Sequence, residues 1–202
     1  MIRKSLAVFS LCTILLIASA ALAGLEPGDA APAFTLIDTE GAEYSLQTYL
    51  DDGKIVVLEW FNPDCPFIKK HHLNHKTMNE TFAAAKDEGV VWLAINSSAK
   101  GKEGHGLKRN QRAVKEYEIP FPVLIDESGE VGRAYGAKTT PHMFIINPDG
   151  TVAYNGAIDN DRSAAKVGET NYVAAALMAL REGKKIVMPE TPAYGCSIKY
   201  EN

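Results

Sequence analysis

Residues 55–68 join a long apolar segment to a cysteine and a proline. The run from Ile55 to Phe61 is apolar except for Glu59, which is typical of a strand buried on both faces of a sheet. Cys65 and Pro66 follow after a short turn, and proline is favoured at the first position of a helix. The pattern therefore predicts a strand, a turn and a helix, with Cys65 just before the first helical turn.

The position of Cys65 favours a reactive thiol. Free backbone N–H groups and the positive end of the helix dipole favour thiolate over thiol at such a site. The alternative is a structural cysteine, because free cysteines are among the most buried residues. A strand-to-helix turn followed by proline presents a side chain rather than packing it, so we interpret Cys65 as a nucleophile.

The first 23 residues have the three regions of a secretory signal peptide. Arg3 and Lys4 precede an apolar run from Leu6 to Leu16, and Ala21-Leu22-Ala23 forms a small-x-small cleavage site. We expect cleavage after Ala23 and export to the periplasm or the extracellular space. A retained membrane anchor is the alternative, but the apolar run is short for a spanning helix.

Composition and charge limit the class of protein. The 202 residues are 46% hydrophobic and 23% charged, which predicts one globular domain over residues 24–202, with a Pro- and Gly-containing tail at 184–202. The net charge of −4 and the lack of a basic aromatic stripe argue against nucleic acid as a partner. Cleavage would remove Cys12 and leave Cys65 and Cys196, enough for one redox pair outside the cytosol.

The order of predicted elements indicates an α/β fold. Strands alternate with helices and are followed by an antiparallel hairpin and a terminal helix, so we expect a central mixed sheet flanked by helices on both faces. The predicted strands are 34–37, 42–46, 55–61, 90–96, 123–125, 143–146 and 151–158, and the predicted helices are 46–50, 66–88, 107–117, 130–135 and 172–181.

Three motifs carry a family resemblance. They are Gly28-Asp29-x-Ala31-Pro32-x-Phe34-Thr35-Leu36, Asn62-Pro63-Asp64-Cys65-Pro66-Phe67, and Thr140-Pro141 before a later strand. Over about residues 26–183 the chain resembles the redoxin branch of the thioredoxin superfamily, which includes alkyl hydroperoxide reductases and thiol-specific antioxidant proteins. The resemblance implies a thioredoxin-like three-layer fold and thiol-based redox activity without a cofactor.

The resemblance also implies roles for individual residues. Pro141 would be cis and lie against Cys65, and the backbone of Thr140 would pair with a substrate chain. Asn62 and Pro66 would shape the active turn. From its place in the apolar run, we expect Trp60 to lie in the core and in the wall of this turn.

The chain departs from two patterns within this family. A Cys-x-x-Cys pair is absent, because Asn62 and Ile68 lie three residues before and after Cys65. A peroxiredoxin would carry Thr or Ser at the position of Asn62 and Pro at the position of Leu58. We therefore expect exchange with protein thiols or disulfides rather than peroxide reduction, although peroxide stays an alternative substrate.

A lone nucleophile needs a second thiol to resolve its oxidised form. The tail from Gly195 through Cys196 to Tyr200 resembles the end of a group of exported peroxiredoxin-like proteins. Cys196 is the candidate within the mature chain, and an external reductant is the other. Alternatively, Cys196 packs the tail onto the domain or forms a permanent structural bridge.

A non-catalytic metal carrier is the runner-up function. Cys65, His71, His75 and His142 could together bind zinc or copper, since helical histidines at i and i+4 can share one ion. However, His71 and His75 lie on the predicted apolar stripe of their helix, where a packed histidine is the simpler interpretation.

Other charged residues flank the turn. Asp64 would oppose thiolate formation at the neighbouring thiol, whereas a buried Glu59 could relay protons. The sequence leaves these roles open. Lys69, Lys70 and Arg133 are candidates to offset this negative charge, although a solvated helix face is the simpler interpretation of the two lysines.

Overall fold

The computed structural model describes residues 24–201. The predicted signal peptide, residues 1–23, lies outside this part of the chain. Among the described residues, every helix is too short or too polar to span a bilayer.

A seven-stranded mixed sheet forms the centre of the fold, as predicted. Its strand order is β2-β1-β5-β4-β3-β7-β8, in which β3, β4 and β5 are parallel and the other pairs are antiparallel. The strands are β1 (Thr35–Asp38), β2 (Glu43–Ser45), β3 (Ile55–Trp60), β4 (Val90–Asn96), β5 (Val123–Ile125), β7 (Met143–Ile146) and β8 (Val152–Gly156).

Helices cover both faces of the sheet and give three layers. One core contains Val57 of β3 and the buried sides of α2, α3, α4 and α6, and the other contains Val56 of β3 and the buried sides of α1 and α5. The helices are α1 (Leu46–Asp51), α2 (Pro66–Lys69), α3 (Thr77–Ala85), α4 (Leu107–Glu116), α5 (Glu130–Ala134) and α6 (Tyr172–Arg181). The thioredoxin-like α/β fold is confirmed.

The predicted continuous helix over 66–88 is wrong. After α2, the backbone forms a π-helical turn at Lys70–Asn74, in which the His75 N–H donates to the Lys70 carbonyl over 3.0 Å. Lys76 then adopts a left-handed conformation with φ 54°. Because a π turn holds an extra residue, the buried face shifts: His72 is buried and His75 is exposed.

The tail forms a second, two-stranded antiparallel sheet, which the sequence did not predict. Strand β6 (Thr139–Thr140) pairs with β9 (Cys196–Ser197), and Thr140 lies opposite Cys196. This pairing brings the end of the chain to the point where β3 meets α2.

Candidate active site

Cys65 and Cys196 lie side by side although 131 positions separate them in the sequence. Their sulfur atoms are 2.9 Å apart, and both thiols are free. A disulfide bond is about 2.05 Å long, so oxidation requires a movement of about 1 Å. The structure therefore brings together the two cysteines of the predicted mature chain as a potential redox pair.

Cys65 is the N-cap residue of α2, with Pro66 at the first helical position. Its side chain makes no capping hydrogen bond. Instead, its sulfur lies 3.0 Å from the Thr140 carbonyl oxygen. The expectation that the turn presents the Cys65 side chain rather than packing it is wrong, because its exposed fraction is 0%.

The tail belongs to the surroundings that bury Cys65. Strand β9 runs beside Thr140, and Gly195 packs against the backbone there, since a Cβ atom on Gly195 would lie 2.1 Å from the Thr140 oxygen. Only glycine fits this approach. Because Cys65 has no exposed surface, an external substrate can reach it only after a covering segment moves, and the tail is one such segment.

The loop after β4 is hydrogen-bonded to the active turn. Asn62 Nδ2 donates to the Glu103 carbonyl over 3.1 Å, and Asn62 Oδ1 accepts from the Asp64 N–H over 2.8 Å. Asp64 in turn forms an ion pair with Arg109, with 2.8 Å between Nη2 and Oδ1. The carboxylate predicted to oppose thiolate formation is therefore offset by a guanidinium group from α4.

The Thr140–Pro141 peptide bond is cis, and His142 separates it from the start of β7 at Met143. Thr140 is the residue whose carbonyl oxygen contacts Cys65. Trp60 lies elsewhere: it is fully buried and packs with Tyr135 and Phe144 in the core on the other face of the sheet from Cys65. Trp60 is therefore a core residue, as expected, but it does not form a wall around the thiol.

The two thiols differ in their surroundings. Burial, the hydrogen bond with Cys65 and the negative charge of a Cys65 thiolate raise the pKa of Cys196 to about 12. A thiol with so high a pKa is a weak first nucleophile near neutral pH, because the thiolate is the reactive form. Cys196 is therefore assigned the second attack, and the position of Cys65 before the first turn of α2 supports it as the first nucleophile.

Glu59 belongs to a hydrogen-bond network of buried residues. It is fully buried, with one oxygen 2.7 Å from His72 Nε2 and the other accepting from Trp92 Nε1 over 3.0 Å. The second ring nitrogen of His72 pairs with Asn79. Both oxygens are thus occupied by residues of the core, and no hydrogen bond in the described chain joins this network to Cys65.

The alternative metal site does not form. His71 pairs with Tyr194, His75 with the Ala165 carbonyl and His142 with Asn155. Within residues 24–201, no group of three or more His, Cys, Asp or Glu residues is close enough to hold an ion. The four predicted ligands are instead used separately in packing and hydrogen bonding.

Sequence reasoning missed three residues around the pair. Lys70, which was expected on a solvated face, is fully buried and lies beside Asp159 and Tyr194. No local pattern marks Lys70, because the π turn places it inside. Tyr194 could have been predicted to lie near the site, since it is two residues before Cys196 in the sequence.

Comparison with known proteins agrees with this fold and site. Residues 26–174 match the Redoxin family model. The thiol-disulfide oxidoreductase ResA of Bacillus thuringiensis subsp. konkukian is 33% identical over 128 residues, which cover 63% of this chain and 68% of the relative.

Two solved structures resemble the chain over most of its length. A hypothetical protein of Sinorhizobium meliloti has a TM-score of 0.77 at 26% identity and covers 89% of this chain and 97% of its own. An uncharacterized conserved protein of Geobacillus kaustophilus has a TM-score of 0.76 at 31% identity and covers 88% of this chain and 93% of its own. The chain therefore belongs to the redoxin family of the thioredoxin superfamily.

Proposed function

We propose that this protein is a thiol-disulfide oxidoreductase in which Cys65 is the nucleophile and Cys196 the resolving thiol. The observation that carries the proposal is the 2.9 Å separation of the two sulfur atoms across 131 positions of sequence. The related ResA proteins are named for the same activity. Cys196 takes the part that the second cysteine of a Cys-x-x-Cys pair would otherwise play.

The reaction has two exchange steps. The Cys65 thiolate attacks one sulfur of a substrate disulfide, forms a mixed disulfide and releases the other substrate sulfur as a thiolate. Cys196 then loses its proton and attacks the Cys65 sulfur, which forms the Cys65–Cys196 disulfide and releases the second substrate thiolate. The substrate gains two electrons, and an external dithiol returns the protein to its reduced form.

The proposed substrate is a disulfide in an extended polypeptide. In this structure, β9 pairs with Thr139–Thr140. A polypeptide segment of a substrate can form the same antiparallel pairing once the tail has moved. The ladder joins only two residue pairs, so a substrate strand can replace its hydrogen bonds after residues 195–197 have moved. The substrate would thus place its sulfur where Cys196 now lies.

Peroxide is the less favoured substrate. Asn62 and Leu58 stand at the positions of the Thr and Pro of the peroxidase motif. Asn62 is moreover engaged with the Asp64 N–H and the Glu103 carbonyl, so its amide is not free to bind a peroxide beside the thiol.

We further propose that the protein is exported to an oxidising compartment such as the periplasm. The proposal rests on the N-terminal pattern of Arg3 and Lys4, the apolar run and Ala21-Leu22-Ala23. Expression with the native N-terminus in a bacterial host, cell fractionation and intact-mass measurement test it. A periplasmic product that begins at Gly24 is expected, whereas an uncleaved cytosolic chain would contradict export.

The exchange activity is tested with trapping variants of the full chain, all carrying Cys12→Ser so that two cysteines remain. A peptide disulfide is added to the parent, to Cys65→Ser and to Cys196→Ser. The Cys196→Ser variant should accumulate the mixed disulfide on Cys65, the parent should release both substrate thiols, and the Cys65→Ser variant should react at least tenfold more slowly. Equal reaction of Cys65→Ser and the parent would contradict the assignment of Cys65.

A further inference from the structure

A buried polar cluster includes Tyr194, two residues before Cys196, and is not used in the exchange chemistry. We call Lys70, His71, Asp159 and Tyr194 the Lys70 cluster. Lys70 is fully buried, and its Nζ lies 3.6 Å from Asp159 Oδ1 and donates to the Asp161 carbonyl over 2.6 Å. A buried ammonium group is costly unless it is paired and hydrogen-bonded, so these contacts hold Lys70 in one place.

The hydroxyl of Tyr194 lies at the centre of this cluster. It donates to the Asp159 carboxylate and accepts from Lys70 Nζ over 3.2 Å, while His71 Nε2 lies 3.1 Å away. Burial and the charge of Lys70 lower the pKa of His71 to about 3, so its imidazole is neutral. Because the Tyr194 proton points to Asp159, the His71 ring must donate from Nε2.

Tyr194 therefore has three charged or polar partners, and its ring also packs against Phe67 at a centroid distance of 5.8 Å. Its side chain is 5% exposed. Phe67 belongs to the helix that begins after Cys65, and Lys70 and His71 belong to the π turn that continues it. All of these partners except Asp159 thus lie on the chain segment that follows the nucleophile.

The tail is consequently fixed two residues before Cys196. Two residues of extended chain span at most about 7 Å, and Gly195 between them is held against Thr140. The position of the Cys196 sulfur is therefore coupled to the position of the Tyr194 ring. By contrast, the Cys196 thiol makes one side-chain hydrogen bond, which is with Cys65.

We propose that Tyr194 is the positioning residue that holds Cys196 against Cys65, with Lys70 and Asp159 as its anchor. The inference rests on the proposed exchange function and concerns its second step, the attack of Cys196 on the mixed disulfide. Loss of the anchor has two opposite effects. Cys196 closes the disulfide more slowly, whereas Cys65 becomes more accessible because the tail covers it less.

The test follows both steps with 5,5′-dithiobis(2-nitrobenzoate) in the full chain, again with Cys12→Ser. Attack on the reagent releases one thionitrobenzoate, and closure of the Cys65–Cys196 disulfide releases a second. In Tyr194→Ala we expect the second release to slow at least tenfold and the first to be unchanged or faster. Tyr194→Phe keeps the ring but loses the three hydroxyl contacts, and its second release should slow at least threefold.

Tyr135→Phe is the matched control. Tyr135 is also fully buried and its hydroxyl donates to the Pro32 carbonyl over 2.8 Å, but it lies in the core on the other face of the sheet. Its second release should stay within twofold of the parent. A merely structural role for Tyr194 would not slow the second thionitrobenzoate release while leaving the first unchanged or faster.

The outcomes separate the inference from the function on which it rests. Closure at the parental rate in Tyr194→Phe, or equal slowing in Tyr194→Phe and Tyr135→Phe, would overturn the positioning role while the parent still releases two equivalents. A parent that releases only one equivalent would instead contradict the proposed function. If Tyr194→Ala fails to fold, Tyr194→Phe decides the question.

Discussion

Substitution of Gly195 by alanine should weaken the Cys65–Cys196 pair directly. Gly195 has φ 144°, and an added Cβ atom would lie 2.1 Å from the Thr140 oxygen and 2.7 Å from its carbonyl carbon. Nonbonded heavy atoms prefer about 3.5–4.0 Å, and both atoms belong to the backbone, so no rotamer change relieves the overlap. The tail must move away from β6.

The magnitude follows from the backbone conformation and the overlap. A residue forced into a sparsely populated backbone region costs of order 1–3 kcal/mol, which corresponds to a factor of about 5 to 150 in the pairing equilibrium. For a two-electron couple, a tenfold change in the equilibrium constant is about 30 mV. The reduction potential of the disulfide should therefore become less negative by about 20 to 65 mV.

The assay is equilibration with glutathione redox buffers, followed by alkylation and mass spectrometry of the two cysteines. Gly183→Ala is the matched control, because Gly183 also has a positive φ, 64°, but a Cβ atom there meets nothing within 4 Å. It should leave the potential unchanged. A Gly195→Ala potential within about 10 mV of the parent would refute the close packing of the tail against Thr140.

Three further predictions concern buried groups. Burial lowers the pKa of His142 from 6.5 to about 4, so its contribution to stability is complete above pH 6.5 and is lost as the pH falls towards 4. When the pH is lowered from 7 to 4.5, a His142→Gln variant should therefore lose about 2 kcal/mol less free energy of unfolding than the parent, as measured by urea unfolding. Equal losses in the two proteins would contradict this. Glu59→Gln should lower the free energy of unfolding by about 1–3 kcal/mol, because the carboxylate partner of His72 is lost, and no change in urea midpoint would show that the pair is dispensable. Alkylation of Cys196 in the reduced protein should keep rising up to pH 10, given its raised pKa, whereas a plateau below pH 9 would be inconsistent with its buried setting.

Much of the fold was predictable because its signals are local. The apolar runs of β3 and β4 have the length and composition of strands buried on both faces, and α6 begins at Tyr172 and ends at Arg181 as predicted. The helix after Cys65 was not predicted correctly. Its π turn at Lys70–Asn74 leaves no trace in residue spacing, so the sequence placed His75 inside and Lys70 outside.

The site was only partly predictable, because it depends on contacts between distant segments. The sequence identified Cys65 from its turn, and Cys196 by being the remaining cysteine, but it could not decide whether the two meet. The pairing of β9 with β6 involves two residues on each side, too few for a strand pattern. Cys65 is packed in the core, so the expectation that the turn presents its side chain rather than packing it was wrong.

The most direct test of the account is a map of the disulfide that forms when the reduced protein meets one equivalent of oxidised glutathione. Proteolysis without reduction, followed by mass spectrometry, should recover a peptide pair that joins Cys65 to Cys196, with release of two glutathione thiols per chain. Glutathione retained on Cys65 with Cys196 still free would contradict the claim that the tail cysteine resolves the nucleophile.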